Sequence, residues 1–133
     1  MLLIDHVIRP SPIHGVGVFA VEPAKKGDVV WRYHPVVDVM IPEELMVGLP
    51  PHVIRAIKSR AEHQPDRDVY VLALDGEAYT NHSDDPTMIA EGKEGRATRD
   101  ISVGDELTWD YHRFDYADER PVRRTPEGQV TAP

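Results

Sequence analysis

The chain has 133 residues, enough for one domain and too few for two ordinary cores. With 41% hydrophobic and 29% charged residues it can bury a core, and the absence of cysteine excludes disulfides, thiolate metal sites, iron–sulfur clusters and a cysteine nucleophile. Fifteen basic against 23 acidic residues leave a net charge of −8, which repels the phosphates of nucleic acids and favours cationic partners.

The N-terminal run Met1-Leu2-Leu3-Ile4-Asp5-His6 meets an acid before a signal-like apolar stretch develops, and no segment approaches the roughly 20 apolar residues of a membrane span. A soluble, intracellular protein with no membrane partner is expected. Apolar alternation over residues 3–8, 16–20, 29–31 and 36–40 predicts four short strands, punctuated by Pro10-Ser11-Pro12, Gly15, Gly17, Gly27-Asp28 and Pro35. Pro42-Glu43-Glu44 opens a helical turn, and from Pro51 the residues Val53, Ile54, Ile57 and Ala61 fall on one helical face. Residues 69–74 and 77–80 flank Asp75-Gly76, a hairpin signal, and residues 87–90 and 96–98 bracket a charged, glycine-containing loop over 91–95. Residues 117–133 hold three prolines and no aromatic residue, and read as a mobile tail. The expected ordered unit is therefore residues 1–116, mostly β with a small helical insert over 41–66, an α+β class rather than a βαβ sheet.

Three segments carry unusual residue choices. The first, Ser11 to Ala20, contains Gly15-Val16-Gly17. Such glycines commonly serve a turn or bulge, and the missing third glycine and following helix disfavour a dinucleotide fingerprint. The second, Asn81-His82-Ser83-Asp84-Asp85-Pro86-Thr87, has the composition of a self-capping turn. His82, Asp84, Asp85 and His112 are also conceivable metal ligands, which leaves a metal-dependent hydrolase as a third class of function. Adjacent carboxylates point different ways, however, and no His-x-x-x-His spacing exists, so no metal is expected. The third, Gly104-Asp105-Glu106-Leu107-Thr108-Trp109-Asp110-Tyr111, ends in a tyrosine that would ordinarily be a core residue with a partnered hydroxyl.

Taken together and in this order, the segments resemble the SET-domain protein lysine methyltransferases. The pattern includes Gly27-Asp28-Val29-Val30-Trp31-Arg32-Tyr33 between the first two, and runs from Ala97-Thr98-Arg99-Asp100-Ile101 into Tyr111. The likeness covers about residues 13–111, interrupted by the insert. It implies a β-clip architecture of several small sheets, in which the C-terminal segment threads like a pseudoknot beside Asn81-His82, an arrangement composition would not suggest. It implies S-adenosylmethionine as methyl donor and S-adenosylhomocysteine as product. His14, Gly15, Val16, Gly17, Tyr79, Asn81, His82 and Tyr111 would hold the cofactor. Tyr111 and Tyr33 would act catalytically, and Tyr33, Ala90, Trp109, Phe114 and Tyr116 would line the lysine channel.

The chain departs from the family pattern at four positions: Asp84 where many members have Cys, Thr87 where the motif has Asn, Ala78 where Arg often precedes it, and Ala90 near a channel Phe or Tyr. Neither that Cys nor a cysteine-rich C-terminal segment is present, so the channel wall falls to His112, Phe114 and Tyr116 or to a second subunit. A homodimer in contact near the C-terminal strand or the 36–40 edge is expected. The substrate implied is a lysine in a basic protein or peptide such as a histone tail. The rival is a catalytically silent SET-like module that binds a basic peptide or protein partner.

Overall fold

The computed structural model describes residues 1–64, 68–111, 123–124 and 130–131. The described residues form several small sheets and one α-helix, which agrees with the mostly-β expectation. In the sheet that carries the site, β1 (His6–Pro10) and β2 (Val16–Ala20) form an antiparallel hairpin in the register His6↔Ala20 to Pro10↔Val16. β10 (Glu106–Trp109) lies on the other side of β2, antiparallel to it, and pairs in parallel with the short β7 (Asn81–His82). Val18, Phe19 and Ala20 are buried without alternation, so both faces of β2 are covered along this stretch. Pro10, which cannot donate to a ladder, stands at the edge.

A second sheet joins β3 (Val29–Arg32), β9 (Glu94–Ala97) and β8 (Met88–Glu91) in that order. The main core lies between these two sheets. Val18, Val30, Met88, Ile101 and Leu107 are its fully buried side chains, each contributing about 1.5–3 kcal/mol through removal of apolar surface from water.

The third sheet, β4 (Asp38–Pro42), β6 (Val69–Ala73) and β5 (Glu62–Gln64), carries its own small core of Met46, Ala61 and Tyr70. Ile54 and Ile57 of α1 (Pro51–Arg60) pack on it, the helical face predicted by their spacing. Proline at the first helical position suits an end whose N–H groups lack internal partners. Asp38 is buried because the Met1 α-ammonium lies 2.9 Å from its Oδ2, and the His34 N–H donates to the same oxygen at 2.7 Å. No helix among the described residues is long and apolar enough to cross a membrane.

Several sequence expectations change. Asp75-Gly76 does not turn a hairpin: the Asp75 carboxylate accepts the N–H of Glu77 at 3.2 Å and that of Leu2 at 2.7 Å, and so caps a 3₁₀ turn over Gly76–Tyr79 where a strand was predicted. The first strand begins at His6 rather than at residue 3, because the Leu3 N–H is taken by the Val30 carbonyl of the second sheet. The predicted loop over 91–95 shrinks to the turn between β8 and β9. β5 was not expected, since Glu-His-Gln carries no apolar alternation. Within the segment read as a tail, Arg123–Arg124 (β11) and Val130–Thr131 (β12) pair antiparallel, and its other residues lie outside those described.

Candidate functional site

The first part of the site is the connection between β1 and β2. The Ser11 N–H donates to the Gly15 carbonyl at 2.8 Å, and the Ser11 hydroxyl accepts the Ile13 N–H at 3.0 Å. Gly15 has φ +49°, a left-handed conformation that glycine adopts without the strain a β-carbon adds. The resulting loop exposes His14, Gly15 and Val16 and buries Gly17.

Asn81 holds that loop from the opposite direction. Its Nδ2 donates to the carbonyls of His14 at 3.1 Å and Val16 at 3.0 Å, and lies 3.0 Å from Glu106 Oε2. Two amide hydrogens serve three acceptors, so one is shared. Asn81 stands opposite Thr108 in the parallel β7–β10 pairing, which brings a side chain 65 to 67 positions away in sequence to the glycine loop.

Beyond β10 the chain turns so that the Tyr111 N–H donates to His82 Nδ1 at 3.0 Å, and the Tyr111 hydroxyl donates to the Thr80 carbonyl. The tyrosine is buried, with its ring 5.5 Å from that of His82. Accepting a backbone N–H requires an unprotonated Nδ1, so the neutral imidazole carries its proton on Nε2 and donates it to Asp84 Oδ1 at 2.7 Å. Thr80 immediately precedes Asn81. The tyrosine hydroxyl and the loop-holding amide are thus fixed by adjacent residues of one segment.

The segment is locked to β10 by a pair of threonines that sequence reasoning missed. The Thr108 N–H donates to Thr87 Oγ1 at 2.9 Å, the Thr87 N–H donates to Thr108 Oγ1 at 3.1 Å, and both residues are buried. Thr87, which departs from the family motif, therefore has its own structural role. Glu106 was also missed as a functional residue, having been read only as one position of the third segment. The signal available for Thr108 and Glu106 was the position of a polar residue within a strand that the apolar residues Leu107 and Trp109 mark as buried.

The remaining predicted residues divide in placement. Ala90, Trp109 and Tyr111 belong to the main core, and Tyr33 and Tyr79 are half-buried and pack against it. Trp109 meets Trp31 edge-on with centroids 6.0 Å apart, and Gly95 lets it approach: a β-carbon there would lie 2.6 Å from Trp109 Cη2. Arg60 lies 4.7 Å over the Tyr79 ring, and Lys93 lies 5.9 Å over that of Tyr33. Next to Tyr33, the Arg32 guanidinium hydrogen-bonds Glu94 at 2.8 Å and holds its carboxyl below the usual range. His112, Phe114 and Tyr116 lie outside the described residues.

Donor atoms of His82, Asp84 and Asp110 lie within 4.8 Å of one another. Asp85, the other carboxylate considered for a metal, instead lies 3.5 Å from Arg99. Both nitrogens of His82 are engaged within the protein, one by the Tyr111 N–H and one by Asp84.

The SET domain family model matches residues 15–112. Among curated proteins, the chain is 34% identical over 124 residues to the H3 lysine-4 specific histone-lysine N-methyltransferase of Schizosaccharomyces pombe, a match that takes in 84% of this chain and 13% of that protein. The chain thus spans a small fraction of that relative. Among solved structures, a candidate histone methyltransferase of Plasmodium falciparum superposes with TM-score 0.57 at 22% identity, covering 83% of this chain and 95% of the other. A humanized mutant of the Chaetomium thermophilum Polycomb Repressive Complex 2, bound to the inhibitor GSK126, superposes with TM-score 0.61 at 19% identity, covering 98% of this chain and 19% of the other.

Proposed function

Because the chain belongs to the SET domain family, we propose that it transfers a methyl group from S-adenosylmethionine to the ε-amine of a lysine in a basic protein or peptide, such as a histone tail. The observation that carries this reading is the joint placement of Asn81 and Tyr111: the first fixes the exposed Gly15 loop, and the second has its hydroxyl fixed on Thr80. An exposed backbone loop backed by an amide, with an imidazole and a phenol alongside, suits a ligand with both polar and cationic parts. His14 to Gly17, Tyr79, Asn81, His82 and Tyr111 would hold it.

The bound cofactor supplies a methyl group activated by a sulfonium. The protein's contribution is position and proton control. Tyr111 donates its O–H to Thr80, so toward a substrate amine its oxygen would act as a hydrogen-bond acceptor that orients the amine and its lone pair. Burial of the site favours the neutral amine, whose proton leaves to water before attack, so no carboxylate base is required. Tyr33, with Ala90 and Trp109, would border the lysine side chain, and Ala90 contributes little bulk against added methyl groups.

The net charge of −8 and the histone-lysine methyltransferase among its relatives support a lysine-rich substrate within the cell. Exposed Val36, Val39 and Met40 beside the free edge of β4 support the homodimer, for which light scattering is the test. The test of the function is twofold: calorimetric titration with S-adenosylhomocysteine, and transfer of a tritiated methyl group to histones and other basic proteins, located by mass spectrometry. Saturable binding with label on lysine is expected. Binding without transfer to any basic protein would favour the silent module, and absence of both would overturn the reading.

A further inference from the structure

Glu106 has no place in the chemistry described above, yet it lies under the whole Gly15 loop. The Ser11 hydroxyl is 2.8 Å from its Oε1 and 3.0 Å from its Oε2, and Asn81 Nδ2 is 3.0 Å from Oε2. Ser11 and Asn81 are the two side chains that shape the loop: one receives the Ile13 N–H, and the other binds the carbonyls of His14 and Val16. One carboxylate therefore fixes the orientation of both. The same group explains the second glycine of Gly15-Val16-Gly17. A β-carbon on Gly17 would lie 2.5 Å from Glu106 Oε2, 2.9 Å from its Cδ and 3.0 Å from Ser11 Cβ.

We propose that Glu106 is the positioning residue of the cofactor loop, acting through Ser11 and Asn81, and that Gly17 is glycine in order to admit its carboxylate. The identity of the ligand rests on the methyl-transfer reading; the positioning of the loop does not. Glutamine at this position retains an acceptor for Asn81 and can donate to the Ser11 hydroxyl, whereas alanine releases both. Since the loop must then be ordered at the expense of binding, the loss belongs in cofactor affinity and not in turnover at saturation.

The test uses the full chain. Glu106→Ala is expected to weaken S-adenosylhomocysteine binding about tenfold or more while kcat at saturating cofactor stays within about threefold, and Glu106→Gln is expected to retain affinity within about threefold. Gly17→Ala should weaken binding in the wild-type background and add less in the Glu106→Ala background, where the two contacts with the carboxylate are gone and that with Ser11 Cβ at 3.0 Å remains. Hydrogen exchange at the Ser11 and Ile13 amides should accelerate in Glu106→Ala and not in Glu106→Gln. If Glu106→Ala does not fold, Glu106→Asp, whose carboxylate is withdrawn from Ser11 and Asn81 by one methylene, carries the same expectations. Unchanged affinity and unchanged exchange in these variants would overturn the proposal, as would equal loss in the alanine and glutamine variants. Should the wild-type chain take up no S-adenosylhomocysteine, the methyl-transfer reading falls and the exchange rates alone decide whether Glu106 holds the loop.

Discussion

Thr87 and Thr108 each accept the backbone N–H of the other on the side-chain oxygen, at 2.9 and 3.1 Å, and so join the segment after Asn81-His82 to β10 a second time, beyond the backbone bond from the Ser83 N–H to the Trp109 carbonyl. Replacing either by valine keeps the shape and strands one buried N–H, at a cost of about 1–3 kcal/mol, and replacing Thr87 also removes its hydroxyl's hydrogen bond to the Glu106 carbonyl at 3.2 Å. The double variant should cost less than the sum, since both halves belong to one local network. Urea unfolding of the three variants measures this; strict additivity would show that the pair does not act as a unit.

Tyr111→Phe should abolish most methyl transfer and leave S-adenosylhomocysteine affinity nearly intact, because the hydroxyl acts on the geometry of the reacting amine. Its hydrogen bond to Thr80 is also lost, leaving a carbonyl that must find another donor. A single-turnover rate within about threefold of wild type would remove Tyr111 from the catalytic role.

Asn81→Ala should act in the opposite sense. Two carbonyls of the Gly15 loop lose the donor that holds them, and the loop must then be ordered on binding, at a cost of about 1–3 kcal/mol, or roughly 5- to 150-fold in affinity. Calorimetry finding wild-type affinity would contradict the role assigned to this amide.

Gly95→Ala tests the packing of the tryptophan pair. The added carbon meets Trp109 Cη2 at 2.6 Å and Trp31 Cβ at 3.1 Å, so overpacking of about 1–3 kcal/mol is expected, together with a changed near-ultraviolet circular dichroism signal from the tryptophan pair. An unaltered spectrum and melting temperature would mean that the two indoles have room the structure does not indicate.

The Glu94 carboxyl is held low chiefly by its hydrogen bond to Arg32, which outweighs an opposing effect of burial, and the charges of Arg32 and Arg96 lower it further. A lowered folded-state value means that its stabilising contribution is present at neutral pH and is lost as the pH falls through that value. Arg32→Ala should shift the Glu94 titration upward by carbon-detected magnetic resonance, with little change in stability because the pair is exposed. An unmoved titration would separate Glu94 from Arg32.

What the sequence revealed depended on the scale of the interaction. β2 was legible to its boundaries because Val-Gly-Val-Phe-Ala has strand propensity and is bracketed by turn residues, and the α1 face was legible from the spacing of Ile54 and Ile57. Asp75-Gly76 misled because the same pair suits a hairpin turn and a capped 3₁₀ turn, and the Leu2 N–H that helps decide between them lies 73 positions away. Asn81 and Tyr111 were legible as motif residues only through the family resemblance. Their actual partners, the His14 and Val16 carbonyls and that of Thr80, are backbone groups that no residue pattern encodes. Glu106 and Ser11 were illegible for the same reason: their connection spans 95 positions.

The insertion of β10 between β2 and β7 also sets the order in which the protein can become competent. A strand with neighbours on both sides cannot gain its pairing energy until both are present, and here they come from distant parts of the chain. During synthesis, residues 1–105 would emerge with β2 lacking one neighbour and with Asn81 lacking both Glu106 and its pairing across from Thr108. The ligand loop is then shaped in the same event that seats β10, so nascent chains and partly unfolded molecules should be blind to cofactor. For this fold, cofactor added during refolding should slow unfolding far more than it speeds folding.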